Sequence, residues 1–211
     1  MTDLRFRFAG AELVALGSGA LFWPAQDLLI VADLHLGKSE RMARRGGALL
    51  PPYETRETLR RLDTAIAATG AGRVLSLGDS FDDDAAQTAL GDDDAWRLAA
   101  LAGGGREWLG VSGNHDPAQG DTEITINGIA LRHEALATAS GPPDISGHFH
   151  PKARLGRVSR PAFLIGDRHL ILPAFGAYTG GLYADAPVLR ALVPRGIAVL
   201  TGPRPIAMPL G

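Results

Sequence analysis

Apolar residues along this chain fall into short runs whose setting changes about halfway. Leu4 to Phe8 alternates with arginines, as a half-buried strand does. Glu12 to Leu16 and Ala20 to Trp23 flank Gly17-Ser18-Gly19 and read as a hairpin. Leu28 to Ala32 is continuously apolar and stops at Asp33, the pattern of a strand buried on both faces. Pro51-Pro52 opens a helix that runs to about Ala68, with Thr55, Leu59, Leu62 and Ile66 along one stripe and Gly70 closing it. Arg73 to Leu77 is the next strand, helices follow Asp84 and Asp94, and Glu107 to Val111 is a further strand.

Beyond Ser112 the pattern becomes mostly β. Glu123 to Ile126 and Ile129 to Arg132 pair around an Asn127-Gly128 turn. Ile145 leads a strand into Gly147, and Ala162 to Ile165, His169 to Leu172, Val188 to Val193 and Ile197 to Leu200 are also read as strands. A β-α-β-α-β half followed by a β half predicts a mixed α/β fold with two sheets and helices on the outer faces. The 211 residues suffice for one substantial core, so a single domain spanning 1–211 is expected.

Composition narrows the classes. A charged content of 21% and a net charge of -2 exclude a grossly basic nucleic-acid binder but leave room for a local basic face. The 27 glycines and 14 prolines suit many short strands better than a helical bundle. With no cysteine, any metal must be held by His, Asp, Glu or Asn. Residues 1–8 lack the pattern of a signal peptide, and Leu28 to Ala32 is far short of the roughly 20 residues that span a membrane. The expectation is a soluble, cytoplasmic protein.

Five of the six histidines lie at four motifs and one further strand end. The motifs are Asp33-Leu34-His35, Gly78-Asp79-Ser80-Phe81-Asp82, Gly113-Asn114-His115-Asp116 and Gly147-His148-Phe149-His150; His133 stands between the last two. Each motif follows an apolar run, so carboxylates, imidazoles and an amide oxygen are delivered to loops at strand ends. Seven such donors can serve two cations in sets of four if one is shared, and a carboxylate is the natural bridge between ions ~3.5–4 Å apart. Mixed His, Asp and Asn ligation suits Mn²⁺, Fe²⁺ or Zn²⁺ better than Ca²⁺ or Mg²⁺.

In order and over most of the chain, these motifs resemble those of the calcineurin-like metallophosphoesterases. The resemblance implies a four-layer α-β-β-α sandwich, two mixed sheets face to face and flanked by helices, with no separate cap domain. It implies that Asp33, His35, Asp79 and His150 hold one metal ion and that Asp79, Asn114, His133 and His148 hold the other, most suitably Mn²⁺, with Fe or Zn as alternatives. His115 would then lie at the leaving group, with Asp116 orienting its ring, while a metal-bridging hydroxide attacks phosphorus in line.

Pro173 to Leu182 (PAFGAYTGGL) and Asp33 to Lys38 (DLHLGK) look like the bacterial DNA-ligase-associated branch. That likeness implies a phosphodiesterase, and so a possible nuclease, acting on DNA in repair beside a ligase, a helicase and an exonuclease-like protein. A nucleotide pyrophosphatase or dinucleoside polyphosphate hydrolase, a phosphomonoesterase and a non-catalytic binding scaffold are alternatives on the same fold. Lys38, Arg41, Arg44 and Arg45 follow the first motif and read either as contacts to a phosphate backbone or as a solvated helix face. Asp82 reads either as a support for the site or as a helix-start carboxylate, and the other acids of Asp82-Asp83-Asp84 and Asp92-Asp93-Asp94 as helix-capping groups. His169 is expected to be structural, and Trp23, Trp96 and Trp108 to be core.

Overall fold

The structure, a computed structural model, describes residues 3–47, 51–117, 120–137 and 140–211. A six-stranded sheet is built in chain order from β1 (Leu4–Phe8), β2 (Ala11–Ala15), β3 (Leu21–Trp23), β4 (Leu28–Val31), β5 (Arg73–Ser76) and β6 (Glu107–Gly110). β1 to β4 form an antiparallel meander, and β4, β5 and β6 are parallel. The parallel steps need crossovers. Helix α2 (Glu54–Thr69) supplies the first, and α3 (Asp84–Ala89) with α4 (Asp92–Ala102) supplies the second. The short α1 (Lys38–Arg44) precedes α2.

The second sheet contains β7 (Glu123–Ile126), β8 (Ile129–Arg132), β9 (Asp144–Ser146), β10 (Lys152–Leu155), β11 (Val158–Ile165), β12 (His169–Ile171), β13 (Gly196–Leu200) and β14 (Ile206–Leu210). Its order is β14-β13-β11-β12-β9-β8-β7, with β10 paired to β11 beside that path. Most neighbours are antiparallel, but β8–β9 and β9–β12 are parallel.

Alternation along the strands creates the layers. Leu28 and Ile30 of β4 point into a core shared with Ile129, Leu131, Phe163, Leu170 and Val199 of the second sheet. Leu29 and Val31 point the other way, onto Leu59, Leu62 and Ile66 of α2. On the far side of the second sheet, Leu164, Ile171 and Ala198 pack with Leu189 and Leu192. The result is helix, sheet, sheet, helix.

Two expectations are corrected. Residues 188–193, read as a strand, belong largely to a helix, α5 (Pro187–Leu192). Pro187 occupies the first turn, where its missing N–H is not needed, and Leu189 and Leu192 share the buried face at helical spacing. Trp96 is not core: it stands 73% exposed on α4, whereas Trp23 is buried. No helix among the described residues is long and apolar enough to cross a membrane.

Candidate metal centre

The candidate ligands stand where strands end. Asp33 and His35 follow β4, Asp79 follows β5, and Asn114 and His115 follow β6, so three parallel neighbours deliver them to one edge of the first sheet. His133 follows β8, and His148 and His150 follow β9, parallel neighbours in the second sheet. The crevice beyond the carboxyl ends of such strands is where open α/β sheets bind ligands.

The backbone is bent to aim these groups. Asp33, His35, Asp79, His148 and His150 have φ of 54°, 45°, 49°, 67° and 47°, the left-handed region. For residues with a Cβ this conformation costs roughly 1–2 kcal/mol and is usually brief. Five of the seven candidate ligands adopt it, so the strain is concentrated where strands must turn into the crevice. Two glycines make space for the result. A Cβ on Gly78 would lie 2.6 Å from His133 Nδ1, and one on Gly147 would lie 2.5 Å from Asp33 Oδ2.

The ligating atoms converge in two neighbourhoods. In one, His35 Nε2 lies 3.4 Å from His150 Nε2 and 3.8 Å from Asp79 Oδ2, and His150 Nε2 lies 3.4 Å from Asp33 Oδ1. In the other, His133 Nε2 lies 2.9 Å from Asn114 Oδ1 and 3.6 Å from Asp79 Oδ2. His148 Nδ1 lies 3.0 Å from the same amide oxygen and 3.1 Å from His133 Nε2. Asp33, His35 and His150 form a group that could hold a metal ion, as do Asp33, Asp79 and His133. His115 joins His35 and Asp79 in a third such group, its ring edge-on to that of His35 at 4.9 Å.

Hydrogen bonds behind these groups set which ring nitrogen faces inward. His133 Nδ1 donates to the Leu77 carbonyl at 2.8 Å, which leaves Nε2 as the lone-pair nitrogen. His35 Nδ1 lies 2.9 Å from Asp82 Oδ1, within ion-pair distance but not aligned as a hydrogen bond. Burial keeps the His148 ring below its usual pKa, and so neutral, as a ligand must be. Asp33 receives the backbone N–H of His148 at 3.0 Å and is fully buried. The His150 and His148 side chains are 16% and 31% exposed and Asn114 is exposed, so the cluster is closed at its base and open to solvent at its mouth.

Asp82 does more than its place in the sequence suggests. Its buried carboxylate meets His35 Nδ1 and accepts from Arg41 Nη1 at 2.8 Å, while its backbone carbonyl accepts from His115 Nδ1 at 2.8 Å. Burial works to raise its pKa, but the contact with His35 and the charges of Lys38 and Arg41 outweigh that and hold it at about 2. Asp116 is a correction. The resemblance implies that it orients His115; instead its carboxylate accepts the backbone N–H groups of Asp79, Ser80, Phe81 and Gly113. It therefore ties the loop after β5 to the loop after β6, and the His115 ring is held by Asp82.

The basic segment lies on α1 and its immediate end, beside the centre, and its charges are paired. Lys38 approaches Asp82 at 3.9 Å, Arg44 joins Glu40 and Asp83 at 3.0 Å each, and Arg45 reaches Asp83 at 3.3 Å. His169 lies elsewhere, buried against Asp144 at 3.0 Å.

No family model matches the chain, and no curated protein does. Among solved structures, the Pseudomonas putida nuclease MPE superposes with a TM-score of 0.75 and 28% identity, covering 97% of this chain and 100% of that one. A conserved protein of Streptococcus pneumoniae, described as a predicted phosphoesterase, aligns over 86% of this chain and 96% of its own at 14% identity. Its TM-score of 0.37 is too low to bear on fold or function. Fold and site together are those of the metallophosphoesterase superfamily, a class of metal-dependent phosphoric ester hydrolases.

Proposed function

We propose that this protein is a dinuclear phosphodiesterase of the DNA-ligase-associated branch, which hydrolyses phosphodiester bonds in DNA during repair in the cytoplasm. The observation that carries the reading is the pair of ligand neighbourhoods that share Asp79. Donors held by one ion at about 2.1 Å stand about 3.4 Å apart in a tetrahedron and about 3.0 Å apart in an octahedron. The separations here, 2.9 to 3.8 Å, are of that size on both sides of Asp79. Without a cation, lone-pair nitrogens would face carboxylate and amide oxygens, so the donor set fits two divalent ions, Mn²⁺ foremost and Fe or Zn as alternatives. Such ions offset the charge of a phosphate and acidify a water from pKa 15.7 toward ~7.

The chain's own residues then have separate tasks. Leu77 and the His148 amide fix His133 and Asp33 by hydrogen bonds, and the Asp82 carboxylate stands against the His35 ring, so that little reorganisation is needed on binding. His115 Nδ1 donates to the Asp82 carbonyl, so Nε2 gives a proton to the leaving oxygen only from the imidazolium form, in which both ring nitrogens carry hydrogen. The open mouth at Asn114 and His148 admits a diester from solvent. A nuclease from Pseudomonas putida shares the fold over its whole length, which favours a nucleic acid over a nucleotide as substrate. Functional association with a ligase, a helicase and an exonuclease-like protein belongs to the same proposal.

The test is to reconstitute the chain with Mn²⁺, Fe²⁺, Zn²⁺ or Mg²⁺ and count bound metal by elemental analysis. Hydrolysis of DNA, dinucleoside polyphosphates and nitrophenyl mono- and diesters is then compared. About two ions per chain, and cleavage of DNA and the diester, are expected. Full activity without metal would sink the reading, and a preference for pyrophosphates or monoesters would redirect it.

A further inference from the structure

Charge is unevenly shared along the chain. Residues 151–211 carry eight Lys and Arg against two Asp, whereas residues 1–150 carry thirteen against twenty-one Asp and Glu. Among the described residues, every pairing of Lys or Arg with a carboxylate falls between Arg7 and Arg132. The last third of the chain is therefore a cationic surface without acidic partners, in contrast to α1, whose charges are neutralised.

That surface contains a cavity of about 400 Å³, lined among others by Lys152, Arg154, Tyr183, Asp185, Arg190 and Met208. The volume lies within the ~300–1,000 Å³ of small-molecule sites. Lys152 and Arg154 alternate on β10 and so share a face. The Arg154 guanidinium lies 4.1 Å from the centre of the Tyr183 ring, and Lys152 Nζ lies 5.2 Å from it. A guanidinium stacked on a phenol ring is a flat cationic platform of the kind on which a nucleobase stacks. Arg154 and Arg190 are exposed, so they can meet a ligand.

The cavity is joined to the metal centre by two strips of chain that run side by side. One passes from His148 and His150 into β10. The other leaves the centre where Phe175 and Gly176 donate to the Ala32 and Asp33 carbonyls, and rejoins the first where Leu182 donates to Phe149 and Lys152 donates to Leu182. Tyr183 ends it, bridged to Lys152. The second strip carries Tyr178 and Leu182, 49% and 42% exposed. From His150 to Arg154 is four residues, at most ~14 Å of chain, which is a few nucleotides.

We infer that this cavity is a remote subsite that takes one unpaired nucleotide of the substrate strand, its base on the Arg154–Tyr183 platform and its phosphates at Lys152 and Arg190. The inference rests on the nuclease reading above and adds to it where the strand goes beyond the metals. A nucleotide fits the cavity and a duplex does not, because a base must be unstacked to reach the platform.

The experiment measures binding of non-hydrolysable phosphorothioate single strands of graded length to the metal-reconstituted protein, by fluorescence anisotropy over a range of salt. The double variant Arg154→Glu/Arg190→Glu should bind long strands at least about tenfold more weakly. Its salt slope should be shallower by about 0.7 for each phosphate that the variant no longer neutralises. Tyr183→Ala should weaken long strands roughly 5- to 100-fold. Trinucleotides, too short to span both places, should bind variants and wild type alike, and thermal melts should show the variants folded.

Long strands bound equally by variants and wild type would overturn the subsite and leave the nuclease reading standing. So would an equal loss for trinucleotides, or a free mononucleotide that fills the cavity as tightly as the long strand. A wild type that neither cleaves nor binds DNA would instead remove the nuclease reading itself.

Discussion

Asp82 lies three residues past Asp79, and its two kinds of oxygen reach two different histidines. The carboxylate faces His35 and the carbonyl accepts a hydrogen bond from His115 Nδ1. One residue thus lies against the ring of a candidate ligand and holds the ring of the candidate proton donor. Supporting groups of this kind commonly carry 10- to 100-fold of metal affinity. Asp82→Ala is accordingly expected to weaken metal binding by about that factor in calorimetric titration, while the backbone carbonyl continues to hold His115. His115→Ala should keep its metal content and lose ~10²–10⁴-fold in kcat on DNA. The loss should be much smaller on a nitrophenyl diester, whose leaving group needs no proton. Loss of metal in that variant would show that His115 acts as a ligand instead, as its nearness to His35 and Asp79 also permits, and equal losses on both substrates would remove the proton-donor role.

Two short helices illustrate how an element takes its meaning from its neighbour. Arg41, Arg44 and Arg45 share one face of α1 or its end by helical spacing, and that face meets Asp82 and Asp83 at the start of α3. Asp83 has a second task, since its side chain accepts the Ala86 N–H at 2.9 Å and caps α3. Asp83→Ala should cost about 0.5–2 kcal/mol in urea unfolding. Asp83→Asn keeps the cap oxygen and should cost less, and equal losses would mean that the charge pairs matter more than the cap. The acidic run at 92–94 enters the first turn of α4 behind Gly91, where it suits the helix dipole. α5 shows the limit of local pattern: a six-residue apolar segment satisfies strand and helix spacing alike, and packing on Leu164 and Ile171 decides between them.

For the whole molecule, the interface between the sheets is what brings β4, β5 and β6 to the same crevice as β8 and β9. Phe163 is fully buried there, among Leu28 and Ile30 from the opposite sheet. Phe163→Ala should destabilise the protein by ~3–5 kcal/mol, read from chemical denaturation. If the chain is one domain, both sheets should melt in a single transition that moves as a unit, and a variant that melts in two steps would divide it.

The order of residues is enough for the continuous apolar run that buries β4 on both faces, the mixed α/β architecture and the seven donors at strand ends, because these depend on residue type and on spacing between near neighbours. It could not decide what depends on distance along the chain. Asp82 meets His35 across 47 residues, and Lys152 comes to Tyr183 across 31. Asp116 turns from His115 to four backbone amides for the same reason. A side chain with several possible partners is committed only when the loops are brought together, and only the tertiary structure brings them. The basic residues after His35 are equally visible as charges, but whether a charge is available to a ligand or already paired is a property of the folded surface.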